Sequence, residues 1–98
     1  MIKRSYFNDG KTCRVTFRYR PNEDVNTVHL VTDLDGWDTS ARPMVRRKDG
    51  YFSTSLTLSQ GGRVQFRYVV NGQRWVNDDH ADEHVQNEYG ESNSVVNV

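Results

Sequence analysis

Apolar and polar residues alternate with a period of two along much of this chain. Residues 13–20 place Cys13, Val15, Phe17 and Tyr19 on one face and three arginines and a threonine on the other. Successive side chains of a β-strand point to opposite faces, so this pattern predicts a strand with one buried face. Similar patterns predict strands in six further segments: TVHLVTDL, MVRRK, YFSTSLTL, RVQFRYVV, QRWV and SVVNV.

Glycine-containing dipeptides separate several of these segments. Asp49-Gly50 and Asn71-Gly72 are typical of two-residue hairpin turns that need positive φ, and Gly61-Gly62 predicts another turn. No window carries a helical apolar stripe, and residues 77–92 are predicted to form a loop. About seven short strands with turns between them predict an all-β, immunoglobulin-like antiparallel β-sandwich.

Length and charge narrow the function classes. The 98 residues suit one domain, 1–98, and are too few for a catalytic barrel of roughly 250 residues. Thirteen basic residues balance thirteen acidic ones, which disfavours a polybasic membrane anchor. Cys13 is the only cysteine, and the first ten residues lack an apolar targeting segment. We therefore expect a soluble, cytoplasmic protein.

Catalytic chemistry finds little support in the sequence. The nine aspartates and four glutamates could supply a glycosidase pair, but they cluster in loops, where aspartate stabilises turns. Cys13 falls on the inward face of its strand, which predicts a buried, unreactive thiol. We therefore expect no enzyme activity from this chain.

Metal ligation is also not expected. Asp33 to Gly36 imitates part of a calcium loop, but Val31 and Arg42 occupy its first and last ligand positions. His80 and His84 have a zinc-site spacing only on a helix, which the surrounding residues do not predict. The sequence therefore predicts no metal or other cofactor.

Several arginines on predicted outward faces raise the question of nucleic-acid binding. Arg14, Arg18, Arg63 and Arg67 have that placement, and arginine with exposed aromatics such as Tyr51 is typical of single-strand binding. Zero net charge and acidic loops oppose contact with a phosphate backbone. We expect these arginines to pair with carboxylates, and expect no nucleic-acid partner.

The two tryptophans lie in unusual places for core residues. Trp37 is inside the polar loop TDLDGWDTS, and Trp75 comes just after the Asn71-Gly72 turn. An indole offers an apolar face and an N–H donor, which suits the flat C–H face and the hydroxyls of a pyranose. The local sequence leaves two interpretations open: core residues, or a pair that stacks on a glucan.

Four segments together resemble a known family. VHLVTDLDGWD, YFSTSLTLSQGG, VQFRYVVNGQRW and YGESNSVVNV are similar to the glycogen-binding domain of carbohydrate-binding module family 48. That family includes early-set domains of branching and debranching enzymes, often fused to glycoside hydrolase family 13 enzymes, and the β subunit of AMP-activated protein kinase. The resemblance runs from about Val28 to Val98. It implies an early-set sandwich that binds glycogen, starch or maltooligosaccharide without cleaving it.

The resemblance also implies a carbohydrate-binding site. Trp37 and Trp75 match the two tryptophans that stack on sugar rings. Arg67 matches a basic residue, and Asn93 an asparagine, that hydrogen-bond glucose hydroxyls. Tyr89 matches an apolar residue that packs against the glucan.

Some positions depart from the family pattern. Arg74 is an extra residue before Trp75, Glu91 replaces a small hydroxyl residue, and Arg67 replaces the usual lysine, which changes the donor geometry. Two functions therefore stay open. One is a module that binds an α-glucan, with a glycogen-metabolising enzyme as its partner. The other is a protein-interaction module of the same fold, associated with glycogen or starch enzymes, that has lost sugar binding.

Overall fold

The alternating segments form two antiparallel β-sheets packed face to face in a computed structural model that describes all 98 residues. The chain forms ten strands, with a 3₁₀ turn at Asp33–Asp35. The strands are β1 (Ile2–Tyr6), β2 (Thr12–Tyr19), β3 (Val28–Thr32), β4 (Arg42–Pro43), β5 (Val45–Arg46), β6 (Phe52–Ser59), β7 (Arg63–Val70), β8 (Arg74–Val76), β9 (Glu83–Gln86) and β10 (Ser92–Asn97).

The first sheet has the strand order β1-β2-β6-β5, and the second has the order β4-β3-β7-β10-β9. Strand β8 also belongs to the second sheet, where it pairs with residues 68–70 of β7. Strand β3 pairs with β7 along residues 66–70, so β8 lies on the opposite edge of β7. The predicted all-β sandwich is confirmed, with ten strands in place of about seven.

The core lies between the two sheets and is built by the predicted inward faces. Phe17 of β2 contacts Phe66 of β7 edge to face, with ring centroids 4.8 Å apart. Tyr19 stacks on Tyr68 at 5.0 Å. Cys13 is a free thiol with no exposed surface, as its position in the pattern predicts. These contacts across the sheets hold one continuous core of fifteen buried residues.

Three strands escaped the sequence prediction, namely β1, β4 and β9. Strand β9 lies within residues 77–92, so the loop prediction there is wrong. Only Val85 of β9 is partly buried, and β1 likewise buries little because each lies at the edge of its sheet. An edge strand whose two faces are both exposed to solvent needs no alternation of apolar and polar residues. Its sequence therefore lacks the period-two pattern that predicts a strand.

A turn forms at Asn71-Gly72 as predicted, although Val70 pairs with Arg74, so the loop holds three residues where two were expected. Asn71 has φ of 54° and Gly72 has φ of 70°, the two positive values of a type I′ hairpin turn. Gln73 closes the turn by donating its N–H to the carbonyl oxygen of Val70 at 3.1 Å. This turn sends the chain directly from β7 into β8, which carries Trp75.

The Asp49-Gly50 turn differs from the prediction. Only Gly50 has positive φ, at 87°, and its N–H donates to the carbonyl oxygen of Arg47. Arg47 in turn donates its N–H to the carbonyl oxygen of Tyr51 at 2.7 Å, which encloses three residues. The two-residue turn predicted here is therefore wrong, since a three-residue loop needs only its last residue in the left-handed region.

Candidate functional site

The outer face of the second sheet is unusually well covered for a surface. Val31, Val69 and Val95 alternate with core-facing residues, yet none has any exposed area. Val69 is paired in register with Trp75, and Val31 with Arg67. Side chains of the outer face and of neighbouring loops therefore build a second apolar layer outside the core. Val69 faces away from the core and is nevertheless fully buried.

Arg67 lies in the middle of this outer layer. Its side chain is only 12% exposed, and its Nη1 lies 2.8 Å from Oε2 of Glu91. Nη2 donates to the carbonyl oxygen of Trp75 at 3.4 Å, and Cζ lies 5.3 Å from the centre of the indole. A guanidinium over an indole face is a favourable cation–π arrangement. Arg67 therefore lies outside the core, as expected, but neighbouring residues cover most of its side chain.

The loop that carries Trp37 is held in a constrained conformation. The 3₁₀ turn ends at Gly36 with φ of 64°, and Trp37 follows with φ of 61°. The N–H of Trp37 donates to the carbonyl oxygen of Thr32 at 2.9 Å, and the N–H of Gly36 to that of Asp33 at 3.2 Å. These two bonds form the pattern that closes many helix ends. A bulky residue in the left-handed region costs about 1–2 kcal/mol, which the surrounding bonds must offset.

An ion pair anchors the same loop to strand β4. Arg42 donates from Nε to Oδ2 of Asp35 at 2.6 Å and from Nη2 to Oδ1 at 3.1 Å. The hydroxyl of Thr32 also donates to Oδ2 of Asp35 at 3.1 Å. The hydrogen bond from the Arg42 guanidinium holds the pKa of the Asp35 carboxyl below its usual value. The carboxylate is therefore ionised and the loop is fixed at neutral pH.

The hairpin between β9 and β10 forms the opposite rim. The side-chain oxygen of Asn87 accepts N–H bonds from Tyr89 at 2.9 Å and from Glu91 at 3.1 Å. The Asn87 N–H donates to the carbonyl oxygen of Glu91 at 2.8 Å, and Gly90 has φ of 78°. This local network leaves the Tyr89 side chain on the surface, where the residue is 82% exposed.

These segments enclose one cleft of about 580 Å³, called the aromatic cleft below. Its volume lies in the range of small-ligand sites, roughly 300–1,000 Å³. All five residues that the sequence singled out border it, together with three others: Trp37, Arg67, Trp75, Tyr89 and Asn93, then Asn87, Glu88 and Glu91. Sequence analysis missed Asn87 and Glu88, although an asparagine two residues before Tyr89 and three before a glycine is a recognisable turn signal.

Asn93 forms part of the cleft's floor and is largely committed to protein contacts. The residue is 6% exposed. Its side-chain oxygen accepts from the Asn87 amide at 3.2 Å, and its amide donates to Oε1 of Gln65 at 3.1 Å. Arg74 does not border the cleft, since it pairs with Glu23 at 2.7 Å on the surface. The cleft is therefore lined by three aromatic rings, one arginine, two glutamates and two asparagines.

Features outside the cleft add little chemistry. The single helical element is three residues long, and no helix of the structure has the length and apolar character to cross a membrane. No group of three or more histidine, cysteine, aspartate or glutamate side chains is placed to hold a metal ion.

The comparisons with known proteins show likeness of fold. No protein-family model and no curated sequence matches the chain. The enterobactin esterase FES of Shigella flexneri, solved in the presence of enterobactin, aligns with a TM-score of 0.79 and 11% identity over 99% of this chain and 32% of its own. The same esterase solved with 2,3-di-hydroxy-N-benzoyl-serine gives 0.76 and 12%, over 99% and 32%. The ferric enterobactin esterase of Salmonella typhimurium gives 0.78 and 12%, over 99% and 34%.

This chain thus spans about a third of the length of these esterases, and at such low identity the likeness shows the fold alone. The expected membership of carbohydrate-binding module family 48 is contradicted, because no family model matches and the aligned structures are esterases rather than glycogen-binding domains. Glucan binding depended on that family, as did the alternative of an interaction module for glycogen or starch enzymes. Both are overturned. That Trp37, Trp75, Arg67, Asn93 and Tyr89 form a binding site stays a prediction.

Proposed function

We propose that this chain is a non-catalytic recognition domain that binds a small planar aryl ligand in the aromatic cleft. One observation carries the proposal. Trp37, Trp75 and Tyr89 come from three separate segments, and all three border the same cleft on the outer face of the second sheet. Aromatic rings pair favourably in offset or edge-to-face arrangements, each pair adding about 0.5–1.5 kcal/mol beyond the area it buries.

The expected affinity is weak. An aryl ring that buries about 100 Å² of apolar surface gains roughly 2.5 kcal/mol at about 25 cal/mol per Å². Contacts with two rings and hydrogen bonds to the polar lining add about 1 kcal/mol each. Association costs on the order of 4 kcal/mol or more. The net gain is therefore about 2.5 kcal/mol, which corresponds to a dissociation constant of roughly 10 mM.

The lining supports recognition rather than catalysis. It contains no serine, cysteine or histidine that could act as a nucleophile with its base. The thiol of Cys13 is sealed in the core. In our proposal any bond-breaking step belongs to a separate catalytic unit, and the domain works in the cytoplasm, where a free, unpaired cysteine is usual.

The solved neighbours guide the choice of ligand. They were solved in the presence of enterobactin and of 2,3-di-hydroxy-N-benzoyl-serine, and the latter combines a hydroxylated benzoyl ring with an amide. We propose a hydroxylated aryl amide of this kind as the ligand class, because a flat ring suits the indoles and its hydroxyl groups suit Asn87 and Glu88 at the rim.

Intrinsic fluorescence provides a direct test. The chain has two tryptophans, and both border the cleft. Titration with 2,3-dihydroxy-N-benzoyl-serine, corrected for absorption with free N-acetyltryptophanamide, is expected to give saturable quenching. Tyr89→Ala is expected to weaken binding about fivefold, which corresponds to about 1 kcal/mol. Because Tyr89 is 82% exposed, its removal should leave the fold intact.

Tyr6→Ala is the matched control. Tyr6 is 53% exposed and lies at the end of β1 in the first sheet, outside the cleft. It should leave the titration unchanged. Absence of saturable quenching in the wild type would refute the proposed function, whereas equal effects of the two substitutions would refute the site.

A further inference from the structure

The guanidinium of Arg67 is incompletely bonded. Arginine has five N–H donors in a rigid planar fork. Here Nη1 donates to Glu91, Nη2 makes a long 3.4 Å contact with the carbonyl oxygen of Trp75, and Nε is buried with no partner. A buried polar group without a partner destabilises the folded state. The cleft therefore contains a cation whose hydrogen-bonding capacity is largely unused.

The partner of this cation is much less firmly held. The Glu91 side chain is 60% exposed, against 12% for that of Arg67, and it lies on the hairpin loop between β9 and β10. A single oxygen, Oε2, makes the contact, so the pair is monodentate. An ion pair with one exposed partner is weakened by solvent, and a glutamate gains side-chain freedom on release. Glu91 can therefore leave Arg67 at small cost, whereas Arg67 cannot leave the cleft.

The neighbourhood of Arg67 also favours a ligand with both a ring and a negative charge. Trp75 contacts the guanidinium through its ring, with 5.3 Å between Cζ and the ring centre, which restrains the plane of the fork. A planar fork suits a carboxylate that accepts two parallel hydrogen bonds. A carboxylate attached to an aryl group could meet this fork while the ring contacts the tryptophans that border the same cleft.

We infer that the ligand of the aromatic cleft carries a carboxylate and that this carboxylate displaces Glu91 from Arg67. Glu91 is then an internal competitor: it neutralises the arginine in the free protein and yields it to an aryl acid. This inference rests on the proposed function and adds a charge requirement to it. N-aroyl amino acids are the ligand class that meets both conditions.

Glu88 offers a matched comparison within the same cleft. It also borders the site and carries the same charge, but it makes no ion pair with Arg67. Replacing either glutamate by glutamine removes one negative charge from the lining. Only Glu91→Gln removes the group that competes with the ligand. A general electrostatic effect would therefore act in both variants, whereas competition for Arg67 would act in one.

The experiment compares two ligands with three proteins. The ligands are 2,3-dihydroxy-N-benzoyl-serine and its uncharged carboxamide, and the proteins are the wild type, Glu91→Gln and Glu88→Gln. We expect the acid to bind the wild type about tenfold more tightly than the carboxamide, as a charge-assisted pair of about 1.5 kcal/mol allows. Glu91→Gln should improve binding of the acid about fivefold and leave that of the carboxamide unchanged. Glu88→Gln should change either affinity less than about twofold.

The outcomes separate the inference from the function on which it rests. Equal affinities for acid and carboxamide would overturn the carboxylate requirement while leaving aryl binding in place. Equal gains from the two glutamine variants would overturn the displacement of Glu91. Failure of both ligands to bind would overturn the proposed function and the inference together. Thermal unfolding of each variant, expected to match that of the wild type as is usual for surface substitutions, verifies that the fold is retained.

Discussion

Removing the hydroxyl of Tyr68 tests the buried polar contact at one end of the core. Tyr68 has no exposed area, and its hydroxyl donates to Oδ2 of Asp78 at 2.7 Å. Asp78 is 3% exposed, and the α-amino group of Met1 lies 2.8 Å from the same oxygen. The substitution Tyr68→Phe keeps the ring in the core and removes only the donor. It leaves a buried carboxylate with one hydrogen bond fewer.

The size of the effect follows from the charge of the acceptor. A hydrogen bond to an ionised group contributes about 1.5–3 kcal/mol, against about 1 kcal/mol between neutral groups. We therefore expect Tyr68→Phe to lower the free energy of unfolding by about 2 kcal/mol at pH 7. For a domain of this size, each kcal/mol lowers the melting temperature by about 4–8 °C. The variant should melt about 8–16 °C below the wild type.

The loss of unfolding free energy caused by Tyr68→Phe should become smaller as the pH falls. Burial pushes the pKa of Asp78 up, but hydrogen bonds from the Met1 amino group, the Tyr68 hydroxyl and the His80 N–H outweigh it, so the pKa lies below its usual value. A carboxyl with a depressed folded-state pKa stabilises the fold above its unfolded pKa of about 3.9 and loses that contribution as pH falls through the folded value. The difference between wild type and variant should therefore be full at pH 6 and shrink below about pH 4.

Urea unfolding of both proteins at pH 7, 5 and 3 measures this difference. Tyr19→Phe is the control, because Tyr19 stacks on Tyr68 at 5.0 Å and its hydroxyl is not bonded to a carboxylate. That control should change the free energy of unfolding by less than about 0.5 kcal/mol. A Tyr68→Phe loss that matches the control, or that stays constant between pH 7 and pH 3, would refute the charged hydrogen bond.

Three further substitutions test the framework of the fold. Gly62→Ala would place a Cβ atom 2.8 Å from the carbonyl oxygen of Ser59, and we expect a loss of about 1–3 kcal/mol in urea unfolding. Arg42→Gln breaks the two-bond pair with Asp35 and should cost about 1 kcal/mol at pH 7. Since the pKa of Asp35 is depressed, that cost should vanish as pH falls through the folded value, as unfolding at pH 3 would measure. Asn71→Ala forces alanine to φ of 54° and should cost about 1–2 kcal/mol in thermal unfolding.

Controls for these substitutions come from the same chain. Arg63→Gln removes an exposed pair with Glu83 at 3.6 Å and should have almost no effect, so an equal loss from Arg42→Gln would contradict its bidentate role. Asn71→Gly accepts the positive φ but loses the side-chain oxygen that receives the Asn26 N–H at 2.7 Å. It should therefore fall between the wild type and Asn71→Ala. A Gly62→Ala variant as stable as the wild type would show that the turn can shift without cost.

The sequence predicted the central strands well because their physics is local. Strands such as β2 and β7 each have one face in the core, so burial imposes alternation that can be counted along the chain. The edge strand β9 has no such constraint, since three of its four residues are exposed. Its position depends on pairing with β10, which no short-range pattern records. Edge strands are therefore the part of this fold that apolar and polar alternation could not predict.

The five residues that the sequence singled out border one cleft, but the function assigned to them was wrong. Trp37 and Trp75 attract notice because large apolar residues in polar loops need an explanation, and both do border one cleft. The carbohydrate role came from resemblance, and a shared sandwich fold does not fix the ligand of a site built on it. The contact between Arg67 and Glu91 joins residues 24 positions apart and depends on the hairpin register. The unpaired Nε donor of the Arg67 guanidinium can be found only from the three-dimensional structure.

The conformation of Trp37 has a consequence for how such a site can change over generations. The indole is placed by a left-handed backbone that hydrogen bonds of Thr32 and Asp33 impose, rather than by a socket in the interior. Tyrosine, histidine or phenylalanine at this position would inherit the same anchor point, with a ring of different size and polarity. In the proposed site, ligand preference can therefore change by exchange of one side chain while the sandwich beneath it stays the same.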